Sequence, residues 1–295
     1  MASMNSPSDS PAPSRQEGEA RPYLVPAVLS AMFMGFKASI SFHKSILYLF
    51  ASRTTSSNIL SCVILNGILF GGSLLFLDFV LVPIMSLGFE LVVPDSSAPQ
   101  VVIEALRQLF TLLYLLPILV LSLILNTVWY QEIAEQVFKQ EKPSMRPPPR
   151  SIGHVARDEI YRSLLIAVLT LQSWFALNFL PKAMGLPLAF CLTSWTLAFY
   201  AYDYSWALSG WTLEKRLGFF EERWVYMLGF GAPLAVLALA LPTLAGFVVY
   251  ALLFPIVMIL AIVTPPVRHR RGWRRLGVFR GAQWAVLRLF LMAKP

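Results

Sequence analysis

The sequence contains few of the residues from which metal, disulfide and nucleophile sites are built. Its 295 residues include two cysteines and three histidines, and Cys62 and Cys191 both lie in apolar segments far from any histidine. Neither a disulfide framework nor a zinc site fits this spacing. Since no histidine has a metal ligand or a nucleophile at useful spacing, we predict that the chain carries no cofactor and is not an enzyme.

Charged residues are also scarce. They make up 14% of the chain, against 57% hydrophobic residues and a mean hydropathy of +0.63. A soluble domain of this length would carry more charge, so the composition predicts an integral membrane protein. The first apolar run begins only near Tyr23, behind a segment rich in Ser, Pro and Glu. We expect residues 1–22 to form a disordered tail rather than a signal peptide.

Two uninterrupted apolar runs predict long transmembrane helices. Residues 58–83 and residues 105–128 each exceed the roughly 20 residues that cross the hydrocarbon core. The second run continues into WYQEIAEQVFKQ, which we expect to extend the helix beyond the membrane, and a proline-rich linker follows. Residues 24–50 are apolar but interrupted by two lysines and a histidine, so they predict a tilted or interfacial helix.

The second half of the chain has two apolar stretches that are each broken near the middle. Residues 163–202 contain Pro181 to Pro187, and residues 225–263 contain Pro242 to Gly246. Each stretch predicts a helical hairpin. The arm that begins at Val225 is close to the lower length limit for a span. A hairpin that turns back within the bilayer therefore fits the sequence at least as well as a complete crossing.

The predicted fold is therefore an all-α integral membrane protein. It combines two long transmembrane helices, two helical hairpins that either cross or turn back, and amphipathic interfacial helices. We assign residues 23–267 to this membrane domain and residues 268–295 to a basic amphipathic tail.

Charge predicts the orientation of this fold. The loop at residues 88–104 carries acidic residues and no base, whereas residues 268–295 carry seven Arg, one Lys and no acid. Because basic segments stay in the cytoplasm, and because two spans plus two hairpins return the chain to its starting side, we expect both termini to be cytoplasmic.

The basic tail mixes its arginines with Trp, Phe and Leu directly after a hydrophobic stretch. This position favours a membrane surface over nucleic acid as its partner. We predict that Arg270, Arg271, Arg274 and Arg275 contact anionic lipid at the cytoplasmic face, where each basic residue contributes about 1 kcal/mol.

The stretch YDYSWALSGWTLEKRLGFFEERW, residues 202–224, concentrates charged and aromatic residues between the two hairpins. Apolar side chains recur there at helical spacing and predict an amphipathic interfacial helix; they are Leu213, Leu217, Phe220 and Trp224, with Trp211 beside them. We expect this stripe to pack among lipid or the hairpins. The opposite face should stay in water, including Arg216 and Glu221. A catalytic Glu221–Glu222 pair is disfavoured, since adjacent helical positions diverge.

Three polar residues at membrane depth are candidates for pairing or for lining a wet cavity. Asn66 and Asn126 are expected to hydrogen-bond between the two long helices. Asp203 lies at a hairpin exit, where it either caps the following turn or pairs with Arg216 or Arg223. These structural interpretations are favoured over an ion path, by a narrow margin for Asn126 and Asp203.

Residues 202–233 resemble the signature of the etoposide-induced protein family of endoplasmic reticulum membrane proteins, through YDYSW, LEKRLGFFEERW and GFGAP. SCVILNG, NTVWYQEIA and FPIVMILA resemble further family segments in the same order. The domain is shared with the bacterial CysZ sulfate permeases, whose YDY motif this chain also has.

The resemblance implies two long transmembrane helices with hemipenetrating hairpins. It also implies a non-enzymatic role in the endoplasmic reticulum, in autophagy and apoptosis. Apart from any resemblance, the partners we expect are the lipid bilayer and a second copy of the chain or another membrane protein. The alternative is a transporter for a small anion such as sulfate. The bacterial permeases share a Gly-Leu-Arg stretch before the first span, but this chain reads SRTTSSN. Only Arg53 supplies a charge there, and Thr54 to Ser57 are expected to act as N-caps.

Overall fold

The computed structural model describes residues 24–50, 52–92, 98–145, 152–266 and 275–284. The described residues are almost entirely helical and contain no strand, which confirms the all-α prediction. The α-helices are α1 (Leu24–Ser39), α2 (Phe42–Leu49), α3 (Arg53–Cys62), α4 (Gly72–Phe76), α5 (Val82–Val92), α6 (Ala98–Phe110), α7 (Leu116–Glu141), α8 (Ile152–Phe179), α9 (Lys182–Leu208), α10 (Leu213–Glu222), α11 (Trp224–Ala240) and α12 (Thr243–Val263). The predicted tail at residues 1–22 lies outside this range.

The first apolar run forms two helices rather than the single helix expected over residues 24–50. The chain breaks between α1 and α2, where the Ser41 hydroxyl donates to the carbonyl of Lys37 at 2.5 Å. α1 packs mainly against α11, and Gly229 makes the close approach possible, since an added Cβ there would lie 1.9 Å from the Met32 carbonyl oxygen. α1 is therefore part of the helix bundle.

Two long helices form the most extended part of the molecule. Residues 53–92 are helical without interruption, and so are residues 98–141. π-helical segments lie inside them, at Val63–Gly71, Leu77–Leu81 and Thr111–Leu115. At 1.5 Å per residue, each long helix measures about 60 Å, roughly twice the hydrocarbon core. The polar extension predicted after the second apolar run is helical, as expected.

Both predicted hairpins are present, and each turns at a single proline. α8 and α9 are separated by Leu180 and Pro181, while α11 and α12 are separated by Leu241 and Pro242. Each proline is the residue before a helix, where its missing N–H costs nothing. The breaks are thus narrower than predicted, because Pro187 lies inside α9 and residue 246 lies inside α12.

Five helices among the described residues are long and apolar enough to cross a membrane. They are the two long helices, α8, α9 and α12. α11 is shorter and reaches that length only together with α10, from which it bends by 91°. The class of several apolar membrane-spanning helices is therefore confirmed.

The main core lies at one end of this bundle. Buried aromatic and aliphatic side chains of α7, α9, α10, α11 and α12 pack together there, among them Phe138, Phe199, Tyr202 and Phe254. A smaller cluster forms where α12 meets the long helices, around Phe70. Side chains elsewhere on the long helices are largely exposed and apolar, as expected for surfaces that face lipid rather than water.

Candidate functional site

Three charged side chains meet in the interior at the end of the first hairpin. Asp203, on α9, is fully buried, and its carboxylate accepts hydrogen bonds from Arg216 of α10 at 2.7 Å and from Arg162 of α8 at 3.1 Å. We call Arg162, Asp203 and Arg216 the arginine node. One carboxylate shared between two guanidinium groups joins three helices, and removing it would leave both positive charges without this partner.

The sequence identified part of this node. Of the two partners expected for Asp203, Arg216 is confirmed, whereas Arg223 pairs with Glu222 at 3.4 Å and lies over the Phe219 ring. Asp203 does not cap the next helix, because the N-cap of α10 is Thr212, whose hydroxyl accepts from the backbone N–H of Lys215. Arg162 was missed, although its position directly before the apolar residues 163–202 was a usable signal for a charge at the membrane boundary.

Aromatic rings hold the arginine node in place. The Arg162 guanidinium lies over Tyr204, at 5.0 Å from the ring centroid, and over Tyr200, at 5.4 Å. The Tyr204 hydroxyl donates to the Tyr200 hydroxyl at 3.1 Å. Tyr202, which lies between these two tyrosines on α9, donates its hydroxyl to the backbone carbonyl of Thr264 at 2.8 Å and so ties α9 to the end of α12. The YDY motif is therefore a buried joint between helices.

The amphipathic helix predicted at residues 213–224 ends earlier and lies deeper than expected. α10 stops at Glu222, and Trp224 begins α11. Leu217 and Phe220 are buried as predicted, but Arg216 and Glu221 are buried as well, which contradicts the solvated face assigned to them. The reason is that protein covers α10 on both sides: α9 on one, and a C-terminal segment on the other.

The aromatic residues at the edges of this helix contact other rings of the protein. Trp211 stacks on Trp206 with centroids 6.0 Å apart. The backbone carbonyl of Trp224 accepts from the indole N–H of Trp195 at 2.9 Å. Leu213 is half-buried against the main core.

The C-terminal segment, residues 275–284, docks on α10. The fully buried Phe279 ring lies between Phe199, at 4.9 Å, and Phe220, at 5.1 Å. Glu221 accepts a hydrogen bond from the Phe279 backbone N–H at 3.3 Å and pairs with Arg275 at 3.6 Å. Arg275 thus contacts protein, while Arg270, Arg271 and Arg274 lie outside the described residues.

The two long helices are joined at membrane depth by a pair of side-chain amides. Asn66 and Asn126 are buried, and each donates to the other, at 2.9 Å and 3.0 Å. Asn66 also donates to the Cys62 carbonyl at 2.9 Å. The hydrogen bond expected between the two spans is therefore present, and its reciprocal geometry satisfies both amides without an external ligand.

The start of the first long helix differs from the capping arrangement expected there. Its N-cap is Ser52, not one of residues 54–57, and no side-chain capping hydrogen bond is made. The Ser56 hydroxyl instead donates to the carbonyls of Leu49 and Ser52, which fixes the turn that leads in from α2. Arg53 itself is exposed.

The hydroxyl of Tyr48, a residue of α2 that packs against the main core, donates to the carboxylate of Glu141, which ties α2 to the end of α7. This hydrogen bond is the main reason why the pKa of Tyr48 is raised to about 12. Burial lowers the pKa of the neighbouring Lys142, whose ammonium lies over the Phe138 ring at 4.8 Å. Among the described residues, no three His, Cys, Asp or Glu side chains converge on a metal-binding arrangement.

A large cleft adjoins the arginine node. It has a volume of about 990 Å³ and lies between α7 on one side and α8, α9 and α12 on the other. Arg162, Asn126, Tyr130 and Tyr200 contribute polar groups to its lining, and most of the remaining lining is apolar. The cleft thus connects two of the polar residues on which the fold depends.

These features define a helical, multi-pass membrane protein in which a buried ion-pair node closes one end of the bundle. The family model described as sulfate transporter CysZ/etoposide-induced protein 2.4 matches residues 41–262. The chain belongs to this family.

Two curated relatives are similar over most of their length. The Protein EI24 homolog of Dictyostelium discoideum is 28% identical over 250 residues, covering 83% of this chain and 77% of the relative. The Protein EI24 homolog of Arabidopsis thaliana is 28% identical over 291 residues, covering 85% of this chain and 89% of the relative. No solved structure shows a significant match.

Proposed function

We propose that the protein is a non-enzymatic membrane protein of the endoplasmic reticulum that organises or remodels membrane in autophagy, with a link to apoptosis. The observation that supports this proposal best is the arginine node. Asp203, in the most distinctive motif of the chain, is completely buried and shared between Arg162 and Arg216. It serves helix packing, as a scaffold requires, whereas a residue on an ion path would face a water-filled passage.

The proposed orientation places both termini in the cytosol. The end of α5 and the start of α6 then face the lumen, while the arginine node and the docked segment at residues 275–284 face the cytoplasm. This arrangement follows the charge asymmetry of the sequence. Glycosylation acceptors introduced between residues 88 and 104 should be modified in microsomes. Modification of acceptors placed at the C-terminus instead would reverse the orientation.

The functional proposal can be tested in cells from which the native chain has been removed. We expect autophagosome formation to slow and the tagged wild-type chain, located at the endoplasmic reticulum, to restore it. Asp203→Asn, which disrupts the arginine node, should fail to restore it, whereas Asp78→Asn, which removes an exposed ion pair with Arg107, is the matched control and should restore it as well as the wild type does. A normal autophagic flux in the depleted cells, or a tagged chain absent from the endoplasmic reticulum, would overturn the proposal.

Small-anion transport is the second candidate, because the family model carries the name of a sulfate transporter. Its site would be the exposed start of the first long helix, at Arg53. We expect isothermal titration of the detergent-solubilised chain with sulfate to show no saturable heat. Sub-millimolar binding that disappears in Arg53→Ala would replace the scaffold proposal with transport.

We also propose that the basic tail binds anionic lipid, and that a second copy of the chain or another membrane protein completes the scaffold. Because Arg275 pairs with Glu221, the lipid contact should depend on the other three arginines. Arg270→Gln, Arg271→Gln and Arg274→Gln together should weaken flotation with liposomes that contain phosphatidylserine, in a salt-sensitive way. Arg275→Gln alone should leave flotation unchanged, and the opposite pattern would show that the tail contact is assigned to the wrong residues.

A further inference from the structure

The cleft beside the arginine node has the size of a ligand site rather than of a packing defect. Its volume of about 990 Å³ lies at the upper end of the range for small-molecule sites, about 300–1,000 Å³. Four helices line it, and side chains of α8 on its wall are exposed, including Ala167 and Leu171. The cleft is therefore open at the surface of the molecule.

Polarity changes along the cleft from one end to the other. Arg162, Tyr130 and Tyr200 line the end at the arginine node, whereas Leu123, Trp174 and Phe247 line the opposite end. From Arg162 to Trp174, α8 rises about 18 Å. Half of the hydrocarbon core is about 15 Å deep. The cleft thus matches one bilayer leaflet in length.

The polar end lies at the depth of lipid headgroups. In α8, the charged residues 157–159 precede the apolar run that begins at residue 163, so Arg162 lies at the boundary between the polar and the apolar part of this helix. Tyr130 directly follows Trp129 at the polar end of the α7 span, a position typical of side chains at the membrane interface. A ligand that fills the cleft therefore has a polar group at the interface and an apolar portion toward the bilayer centre.

Arg162 is the group that distinguishes one ligand from another. Only 5% of its surface is exposed, yet it lines the cleft, and Asp203 together with the rings of Tyr200 and Tyr204 fixes its guanidinium in place. A planar guanidinium with several donors matches the oxygens of a phosphate group. Because the side chain is already ordered, binding would cost little conformational entropy.

We propose that this cleft binds one glycerophospholipid, with its phosphate at Arg162 and an acyl chain along α8 toward Trp174. The bound lipid would fill the space between α7 and the first hairpin. It would thereby act as a structural ligand at the same end of the bundle as the YDY motif.

Native mass spectrometry of the full chain in detergent tests the proposal, with dioleoyl phosphatidylcholine as the probe. We expect one saturable adduct per chain. Dioleoylglycerol, which has the same acyl chains without phosphate, should bind at least about tenfold more weakly, because it cannot accept the hydrogen bond from the charged guanidinium. Equal binding of the two lipids would show that the cleft is only an apolar surface and would overturn the proposal.

Two variants on α8 locate the adduct. Ala167→Trp fills the cleft and should abolish it, whereas Leu177→Trp, on the same helix but outside the lining, should retain it. Loss of the adduct in both variants, or in neither, would place the lipid elsewhere. If millimolar inorganic phosphate displaced the lipid and the binding did not depend on the acyl chains, the cleft would be a site for a free anion, and the proposal would be overturned.

Discussion

The two ends of the long helices present opposite surfaces. At the end formed by residues 129–141, side chains such as Ile133 and Phe138 are completely buried although the sequence there is polar. At the end formed by residues 82–110, the sequence is rich in apolar residues, yet Leu91 and Val101 are at least 70% exposed. The difference shows that the charged end is closed by protein, whereas at the apolar end the described parts of α5 and α6 pack mainly against each other.

The second hairpin shows where the packing stops. Leu244, Phe247 and Val248, at the start of α12, pack against Phe70, Leu77 and Leu115 of the long helices. The start of α12 is therefore anchored on the long helices, and the exposed ion pair between Asp78 and Arg107, at 2.9 Å, directly follows Leu77 of the same cluster.

The largest expected difference in stability is between two Asp→Asn substitutions, one at each end of the long helices. Asp203→Asn removes the carboxylate from between Arg162 and Arg216 and should cost about 3–5 kcal/mol. Asp78→Asn breaks a pair whose side chains are 39% and 47% exposed, and should cost about 0–1 kcal/mol. Thermal unfolding in detergent measures both, and equal losses of stability would contradict the contrast between the ends.

A second comparison is between a buried phenylalanine of the docked C-terminal segment and an exposed phenylalanine of the first long helix. Phe279→Ala empties the pocket between Phe199 and Phe220 and should cost up to about 3–5 kcal/mol, less if the segment at residues 275–284 detaches. Phe79, on the first long helix, is 74% exposed, so Phe79→Ala should change stability by about 0.5 kcal/mol or less. Faster proteolysis after residue 266 in the first variant alone is the expected readout. A segment that is equally protected in both variants would contradict docking through Phe279.

A third comparison is between a glycine at a close helix contact and a glycine that has open space around it. Gly229→Leu would force α11 away from α1 and should cost about 1–3 kcal/mol, because the first added carbon already overlaps Met32. At Gly88 an added Cβ meets nothing within 4 Å, so Gly88→Leu is the matched control and should be close to neutral. Protease sensitivity of α1 and the unfolding temperature together report the change. An undisturbed α1 in Gly229→Leu would show that this packing is not needed.

The smallest expected effect lies between the two ends, at the pair of amides. Asn66→Leu or Asn126→Leu alone leaves the other amide without its partner and should cost about 1–2 kcal/mol. The double variant removes both polar groups and should cost less than the sum of the single changes. A double-mutant cycle on unfolding free energies measures this coupling. Strict additivity would mean that the two side chains act independently.

Hydropathy and proline placement predicted the helices and hairpins well, because both properties depend on neighbouring residues. Asp203 was correctly singled out and one of its partners was named, since Arg216 is close in sequence. Arg162 lies on a different helix, so no local pattern pointed to the contact. The burial of Glu221 was missed for the same reason: periodicity defines the faces of α10 but does not show that residues 275–284 cover one of them.

The packing of α1 on α11 has a consequence for how the chain is assembled in a membrane. α1 is the first described helix to leave the ribosome, whereas α11, its main neighbour, is among the last. Contacts between distant parts of a chain form late, and partly assembled chains expose apolar surface meanwhile. α1 carries exposed aromatic and aliphatic residues together with Lys37, so it can bind at the bilayer surface until α11 has been synthesised. Chains that terminate before α11 should therefore keep α1 accessible to chaperones and be recognised as incomplete.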